Sequence, residues 1–449
     1  MRLKQFFSFC FATTLALSMV GCGQEKETAT TDTSASPDAT ETASATDITL
    51  WTYPIGSWGN TETVNEIIAN FNAKYPDINV SVQYLDYTSG DDQVTAAIEA
   101  GTTPDIIMEG PERLVSNWGA AGKMVDLSDL WSEENVKDIS AVSQKVVDSC
   151  KSPDGAFYEY PLCMNAHCMA INYEVFKEAD ALQYLDETTR TWTTDNFVKA
   201  LEALKKHGVD TTGIVYCGGQ GGDQGTRALA MNLYNAQFTN PEHTKWTMNS
   251  EEGIKGLNLL VDLTKKELLN YDAGLQAADE LQLFANGTAA MTFCWNASNQ
   301  SNYASQVSFT PFAMAFPSED GVPELAGGIY GFGIFNNGND AKIQAAKQFI
   351  QYVCDDETQG PKSVVASGFF PVHSSFGNVY TGTTDEERMT TFSSFMQYLG
   401  DYYNVTPGWA DQRTAWWNML QQIFGGTDVK EAVNTYVDTC NAATEAATK

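Results

Sequence analysis

Between residues 48 and 108 the hydrophobic period switches from two to 3.6 and back, twice over, and few architectures can absorb such a pattern. ITLWTY (48–53) alternates like a strand, and residues 61–75 carry Val64, Ile67, Ile68 and Phe71 on one helical face, closed by Pro76. INVSVQY (78–84) predicts a second strand, 94–100 a second helix, and DIIM (105–108) a short buried strand after the breaker Gly101 to Pro104. Strand, helix, strand, helix, strand fits a parallel sheet covered by helices on both faces. In such sheets ligands sit beyond the carboxyl ends of the strands, which directs attention to the loops at 54–60 and 109–113.

The pattern continues with an extended run at 162–173, a helix at 194–206, a strand at 213–217 and helices at 226–236 and 250–265. Strands follow at 289–295, 308–316 and 329–335, then a helix at 342–354. From Thr384 onward the chain reads as helical, with breaks near Pro407 and Gly425-Gly426. No segment repeats at a fixed period. A body of this size exceeds what one core usually holds, so an α/β protein of two domains is expected.

The N-terminus belongs to neither domain. Arg2 and Lys4 precede an apolar run from Phe6 to Val20, too short to span a bilayer, which reads as a secretory signal. Met19-Val20-Gly21-Cys22 resembles the lipobox of bacterial lipoproteins, which implies removal of residues 1–21 and acylation of Cys22. Two or three acyl chains hold a protein stably on a membrane. Residues 23–47 contain no aromatic residue and no Leu, Ile or Val, with six acidic groups against one Lys, so a disordered tether is expected from Cys22 to residue 47.

Charge narrows the partners. With 57 acidic against 26 basic residues the chain carries −31, which disfavours nucleic acid and anionic lipid faces and leaves a neutral or cationic ligand. Four His in the whole chain and no Cys spacing of metal or redox type argue against a metal site. Seven cysteines follow Cys22, an odd number, and they read as small buried hydrophobes. Ten Trp and nineteen Tyr supply ample aromatic surface.

Several short stretches, in order, resemble the carbohydrate-binding group of ABC-importer extracellular solute-binding proteins, the group that includes the maltose-binding protein. They are ITLWTY, FNAKYPDINVSVQ, AIEAGTTPDIIM, MVDLSDL, YPLCMNAHCMAINYEVF, TWTTDNFVKALEALKK, FANGTAAMTFCW, AAKQFIQYVCDDE, SGFFPVHSSF and GWADQRTAWW, covering most of residues 48–440. The resemblance implies a periplasmic-binding-protein-like fold of two α/β lobes, 48–160 plus 311–360 and 161–310 plus 361–449, joined by crossing hinge segments. The first crossing is expected at Tyr160-Pro161, a return near Phe309 to Phe316, and a third passage after Asp355. It further implies a monomer without cofactor or catalysis that closes on a neutral sugar or oligosaccharide and presents it to a membrane permease.

A sugar offers apolar C–H faces to aromatic rings and a rim of hydroxyls to charged or amide groups. Trp58, in the loop after the first strand, is a candidate for stacking, whereas Trp51, inside the strand, reads as structural. The resemblance assigns hydroxyl binding to Glu112 and Arg113, with Glu109 occupying a position where the family has an aromatic residue. It places Asn165 at a ligand-contacting acidic position, Trp295 near a stacking aromatic, and Trp409 and Arg413 at a stacking and binding pair, with Asp411 between them as a hydroxyl acceptor. Tyr330 and the loop Gly218 to Asp223 could line the cleft. That loop lacks the Lys and Ser/Thr of a phosphate cradle. Trp416 and Trp417 are expected to be at least partly core. Two other functions fit the composition: a binder of polyamine or another cationic solute, and a secreted glycoside hydrolase, which needs two carboxylates ~5–10 Å apart.

Overall fold

The computed structural model describes residues 45–87, 89–219, 224–400 and 405–448; Cys22 and residues 23–44 of the expected tether lie outside these residues, whereas Thr46 and Asp47, also counted into it, belong to the first strand, where they pair with Ile78 and Asn79. Strand β1 (Thr46–Thr52) buries Ile48, Leu50 and Thr52, as its alternation dictates. Helix α1 (Thr61–Lys74) starts at Asn60, whose side chain accepts the amides of Glu62 and Thr63, and buries Val64, Ile67, Ile68 and Phe71. Each such side chain is worth ~1.5–3 kcal/mol on burial, so packing rather than helix propensity holds α1 in place. Then come β2 (Ile78–Tyr84), α2 (Gly90–Ala100) and β3 (Ile106–Glu109). Helix α2 begins four residues before its apolar period, with Asp91 and Asp92 in the first turn, where carboxylates favour the helix dipole. Helix α3 (Glu133–Val142) and strand β4 (Tyr160–Ala166) follow.

The second lobe opens directly after β4 with β5 (Cys168–Asn172). It continues through α4 (Thr194–His207), β6 (Ile214–Tyr216), α5 (Gln224–Asn232), α6 (Glu251–Lys265), β7 (Asn270–Asp272), α7 (Ala277–Ala285), β8 (Met291–Trp295) and β9 (Pro311–Met314). The chain then adds β10 (Gly327–Ile334), α8 (Asp340–Asp355) and β11 (Phe370–Pro371) to the first lobe. Helices α9 (Trp409–Phe424) and α10 (Val429–Ala447) complete the second.

The first-lobe sheet runs β11-β4-β10-β3-β1-β2, while the second lobe holds β8-β5-β9 and the pair β6-β7. Strands β2, β1 and β3 are parallel, as expected, but β10 is antiparallel to both β3 and β4, so the sheet is mixed. The reason is connectivity: β4 and β10 are the strands through which the chain leaves and re-enters this lobe, and no βαβ crossover sets their direction. Strand β9 pairs with β5, Ala313 opposite Ala170, so the return to the first sheet falls after it, between 315 and 326. The register of β10 on β4 shifts between Tyr330 and Gly331, and a side chain at Gly331 would meet the Tyr160 carbonyl at 2.2 Å, so this approach requires glycine. All seven cysteines among the described residues are buried, and no disulfide joins any two of them.

A histidine ties the first-lobe ends of two crossings together. His373, just past β11, places Nδ1 2.9 Å from Asp138 Oδ2 on α3 and Nε2 3.4 Å from Asp355 Oδ1 at the end of α8. Tyr160, the first residue of β4, donates to the same Asp355 carboxylate at 2.8 Å. Burial opposes the charge on His373, but Asp355 and Asp138 outweigh it and raise the imidazole pKa. A group with a raised folded-state pKa stabilises fully below its unfolded pKa and loses that contribution as pH rises through the folded value. His373→Gln is therefore expected to lower stability by ~1–3 kcal/mol at mildly acidic pH and by less at alkaline pH, measured by denaturant unfolding across pH. A cost independent of pH would contradict the charged node.

Candidate functional site

The carboxyl ends of the three parallel strands converge on one arginine. Tyr53 follows β1, Tyr87 follows β2, and Glu109 ends β3, after which Gly110 and Pro111 turn the chain into the helical residues Pro111–Arg113. Arg113 is 5 % exposed. Its Nε and Nη2 donate to the two oxygens of Asp91 at 2.8 and 3.0 Å, and its Nη1 donates to Glu109 at 3.1 Å. Glu112 lies 3.8 Å from the same Nη1. The guanidinium stands 5.2 Å from the Tyr53 ring and 5.9 Å from the Tyr87 ring, and these two rings stack at 5.1 Å. Tyr53 donates its hydroxyl to Asp91 at 2.6 Å.

Burial and charge set the protonation of this cluster. Burial pushes Glu109 up to about 7, with Arg113 partly offsetting it. Asp91 is held below the usual range: burial would raise it, but Arg113, the Tyr53 hydroxyl and Arg413 from the opposite lobe lower it. Glu159, just before β4, is fully buried, and burial together with Glu112 and Glu109 raises its pKa well above the usual carboxylate value.

The floor is formed where the lobes join. Asn165 on β4 is 1 % exposed; its Oδ1 accepts the Gly328 amide at 3.0 Å, and its Nδ2 has no hydrogen-bond partner. A side chain at Gly328 would strike both Asn165 Oδ1 and the Tyr330 hydroxyl, so glycine here lets the three groups share the floor. Tyr330 stacks on Phe369 at 5.6 Å. A cavity of about 570 Å³ is lined by Tyr87 from the first lobe, His167 from the crossing, and Gln224, Gln276, Asn296, Asn299 and Trp417 from the second. That volume suits a small organic solute. A larger crevice of about 1070 Å³, between Ser116 and Lys151 on one side and Lys245 and Thr444 on the other, has no Trp, Tyr or Phe among the described residues lining it.

The structure brings Glu109, Glu112, Arg113, Asn165 and Tyr330 together, and Arg413, in the first turns of α9, close enough for its charge to act on Asp91. Gly218 and Gly219 line the cavity, and residues 220–223 lie outside the described residues. The tryptophans fall elsewhere than the stacking roles expected for them. Trp58 is fully buried, donating to the Ser363 carbonyl at 3.3 Å with its ring edge on Phe332, because its one-turn helix tucks under the residues 359–367. Trp295 is fully buried against Phe284, while its neighbours Cys294 and Asn296 line the cavity, as strand alternation requires. Trp409 lies parallel to Trp246 at 6.2 Å and carries the Arg227 guanidinium 4.9 Å from its ring, so core packing occupies it. Asp411 is exposed on the first turn of α9.

Trp416 is core, its Nε1 donating to Thr226 at 3.0 Å, whereas Trp417, one residue on, faces the cavity. Tyr87, Asp91, His167 and the four amides escaped sequence reasoning. Tyr87 had a usable signal: it lies at the carboxyl end of the second parallel strand, to which the same topological rule applies as to the first and third. The amides had none.

The model of the family described as bacterial extracellular solute-binding protein matches residues 57–360. The chain belongs to this family. A solute-binding protein of this kind is not an enzyme. No curated protein matches the sequence. The fold is shared with solved structures covering 89 % of this chain and 99 % of theirs. One is the substrate-binding protein Lmo0181 from Listeria monocytogenes in complex with cycloalternan, 18 % identical with a TM-score of 0.70. Another is the GacH receptor of Streptomyces glaucescens, solved unliganded and with acarbose, at 13 % and 0.73. A third is the maltose/maltodextrin-binding domain MalE from Bdellovibrio bacteriovorus bound to maltotriose, at 14 % and 0.67. Among the described residues no helix is long and apolar enough to cross a membrane, and no group of His, Cys, Asp or Glu could hold a metal ion.

The placements predict opposite outcomes for residues that look alike in sequence. Trp58→Ala should cost about 3–5 kcal/mol of unfolding free energy, as should Arg113→Met, which leaves the buried Glu109 without its cation and the half-buried Asp91 without two of its bonds. Trp417→Ala should cost well under half as much. Chemical denaturation of the three variants measures the difference, and a Trp58 variant as stable as the parent would refute its core assignment.

Proposed function

We propose that this protein holds an oligosaccharide between its two lobes and delivers it, unaltered, to the permease of an ABC importer. The observation that carries the reading is one cavity in which an aromatic ring from each lobe, Tyr87 and Trp417, meets four amide side chains and the crossing residue His167. Rings suit the apolar faces of a pyranose, and amides both donate to and accept from hydroxyls. Asn165 adds a buried amide donor with no acceptor of its own, which a ligand oxygen would satisfy. The three solved relatives above, with cycloalternan, acarbose and maltotriose, support a saccharide in the same kind of cleft.

Binding to groups on both lobes favours the closed arrangement, because only contacts that differ between open and closed states shift that equilibrium. A thermal-shift screen over mono- and oligosaccharides tests the reading: a sugar at a hundred times its Kd stabilises by ~2.7 kcal/mol. Tyr87→Ala and Trp417→Ala should each weaken the best ligand by about tenfold to a hundredfold, ~1.4–2.8 kcal/mol. A folded protein that no carbohydrate stabilises, or variants binding as well as the parent, would exclude the assignment.

The protein works at the outer face of a cell membrane, held by lipid on Cys22 through the acidic segment that precedes β1, which the sequence supports through its lipobox-like Met19-Val20-Gly21-Cys22. Cys22→Ser should abolish metabolic labelling with a fatty acid and move the protein from the membrane fraction to the soluble one. Labelling that persists in the variant would rule out this anchor.

A further inference from the structure

The cavity shared by Tyr87 and Trp417 is not uniformly polar. No Asp, Glu, Lys or Arg stands among the described residues that line it, so an ionised substituent would enter without a counter-charge. Part of the second-lobe lining is aliphatic. Ala277 and Leu281, four residues apart and so on one face of α7, reach the cavity from that helix, and Cys294 reaches it from β8. Glu280 fastens the two elements together, accepting from the Thr292 hydroxyl at 2.5 Å and the Phe293 amide at 3.0 Å. Leu281 follows Glu280 and Cys294 follows Phe293, so both flank this junction. Hydroxyls held against such a surface lose water and gain nothing, whereas a methyl group gains by burial.

A pair of amides of fixed orientation stands next to Cys294. Asn296, 7 % exposed, accepts the Asn299 backbone amide with Oδ1 at 2.8 Å, and Asn299 donates its Nδ2 to the Cys294 carbonyl at 3.2 Å. These bonds dictate which end of each side chain is oxygen and which is nitrogen. Neither side chain makes a further hydrogen bond among the described residues, so Asn296 keeps an unused donor, Nδ2, and Asn299 an unused acceptor, Oδ1. One donor and one acceptor beside an aliphatic surface match the three parts of an acetamido group, its carbonyl, its N–H and its methyl.

We propose that the solute is an oligosaccharide containing an N-acetylhexosamine, whose acetamido carbonyl accepts from Asn296 Nδ2, whose N–H donates to Asn299 Oδ1 and whose methyl lies against Leu281 and Cys294. The rings of Tyr87 and Trp417 serve the pyranose faces. This rests on the carbohydrate reading of the same cleft and narrows it to one class of sugar. In a trans amide the N–H and the carbonyl point in opposite directions, so two side chains rather than one have to address it. An acetamido group is also neutral, in keeping with the uncharged lining and with the neutral sugar that the sequence led us to expect.

Titration calorimetry on the mature protein tests this with two matched pairs, N,N′,N″-triacetylchitotriose against cellotriose and N-acetyllactosamine against lactose. In whichever pair binds, the acetamido member is expected to bind about tenfold or more tightly than its hydroxyl partner. Asn296→Asp keeps the oxygen that accepts the Asn299 amide but puts an acceptor where the donor was, so it should remove most of that preference while the hydroxyl sugar, which can donate to a carboxylate, is held as before. Leu281→Ala should reduce the preference severalfold, whereas Trp417→Ala should weaken both members alike, a contrast that a general loss of structure would not produce. Should the Asn296 variant fail to fold, the paired affinities of the parent protein still decide. Equal affinity within the binding pair would overturn the acetamido group and leave the carbohydrate reading intact, as would binding of maltotriose by a protein that takes neither acetamido sugar. Binding of none of the five sugars would overturn both.

Discussion

Fourteen consecutive buried residues, 159–172, are the constraint on which the cleft depends. Tyr160–Ala166 is a strand of the first-lobe sheet and Cys168–Asn172 is a strand of the second, with only His167 between them. Because strand side chains alternate with a period of two, a slip of one residue in either sheet would turn Asn165 or His167 away from the floor and bury the wrong face. The registers resist such a slip at both ends: Asn165 is opposite Gly328 in one sheet, and Cys168 is opposite Trp295 in the other. The lobes are therefore indexed to each other through the backbone. Any closing motion has to hinge around this shared strand rather than slide along it.

Given a fixed floor, the first-lobe wall follows from the cost of burying Arg113. A guanidinium at 5 % exposure needs its charge compensated and its donors satisfied, and Asp91 provides a fork-to-fork pair while Glu109 takes a third donor. Such buried pairs are poor sources of net stability, since desolvation consumes most of the Coulombic gain. What they give here is position: α2, the turn after β3 and, through Tyr53, the end of β1 are all tied to one planar group. Tyr53 and Tyr87 stack alongside it, so the aromatic surface of this wall is held rigid before any solute arrives. A ring that needs no ordering loses less on binding.

The backbone was legible in the sequence to a greater degree than the site. Helices such as Thr61–Lys74 and Thr194–His207 were readable from sequence as helical runs, and the structure starts each at a side-chain cap, Asn60 and Thr193. The mixed direction of the first sheet was not, because the orientation of β10 is set by a connection through the other lobe and leaves no local mark. Among the site residues, Glu112, Arg113 and Asn165 could be found through the resemblance, but exposure could not be judged. Trp58 sits in a glycine-flanked turn, a setting that normally exposes an indole, yet its partner Ser363 is 305 residues away and no local signal announces it. Trp416 and Trp417 are adjacent, and only the helix phase relative to α5 decides which is core and which meets the cavity.

Glu109 shows how a site can change while its frame stays fixed. Where the resemblance has an aromatic residue, this chain has a carboxyl, and the stacking surface on this wall comes instead from Tyr87, two strands away across β1 at the end of β2. The two residues remain in contact electrostatically, so the ring has moved sideways and an acid has taken its base. An acid in that position could not stand alone, since burial would keep it neutral, and Arg113 is what restores part of its charge. Strands β3 and β2 flank β1 and so lie about 10 Å apart, and the Tyr87 ring bridges part of that gap by stacking on Tyr53 at the end of β1, without any movement of the sheet beneath.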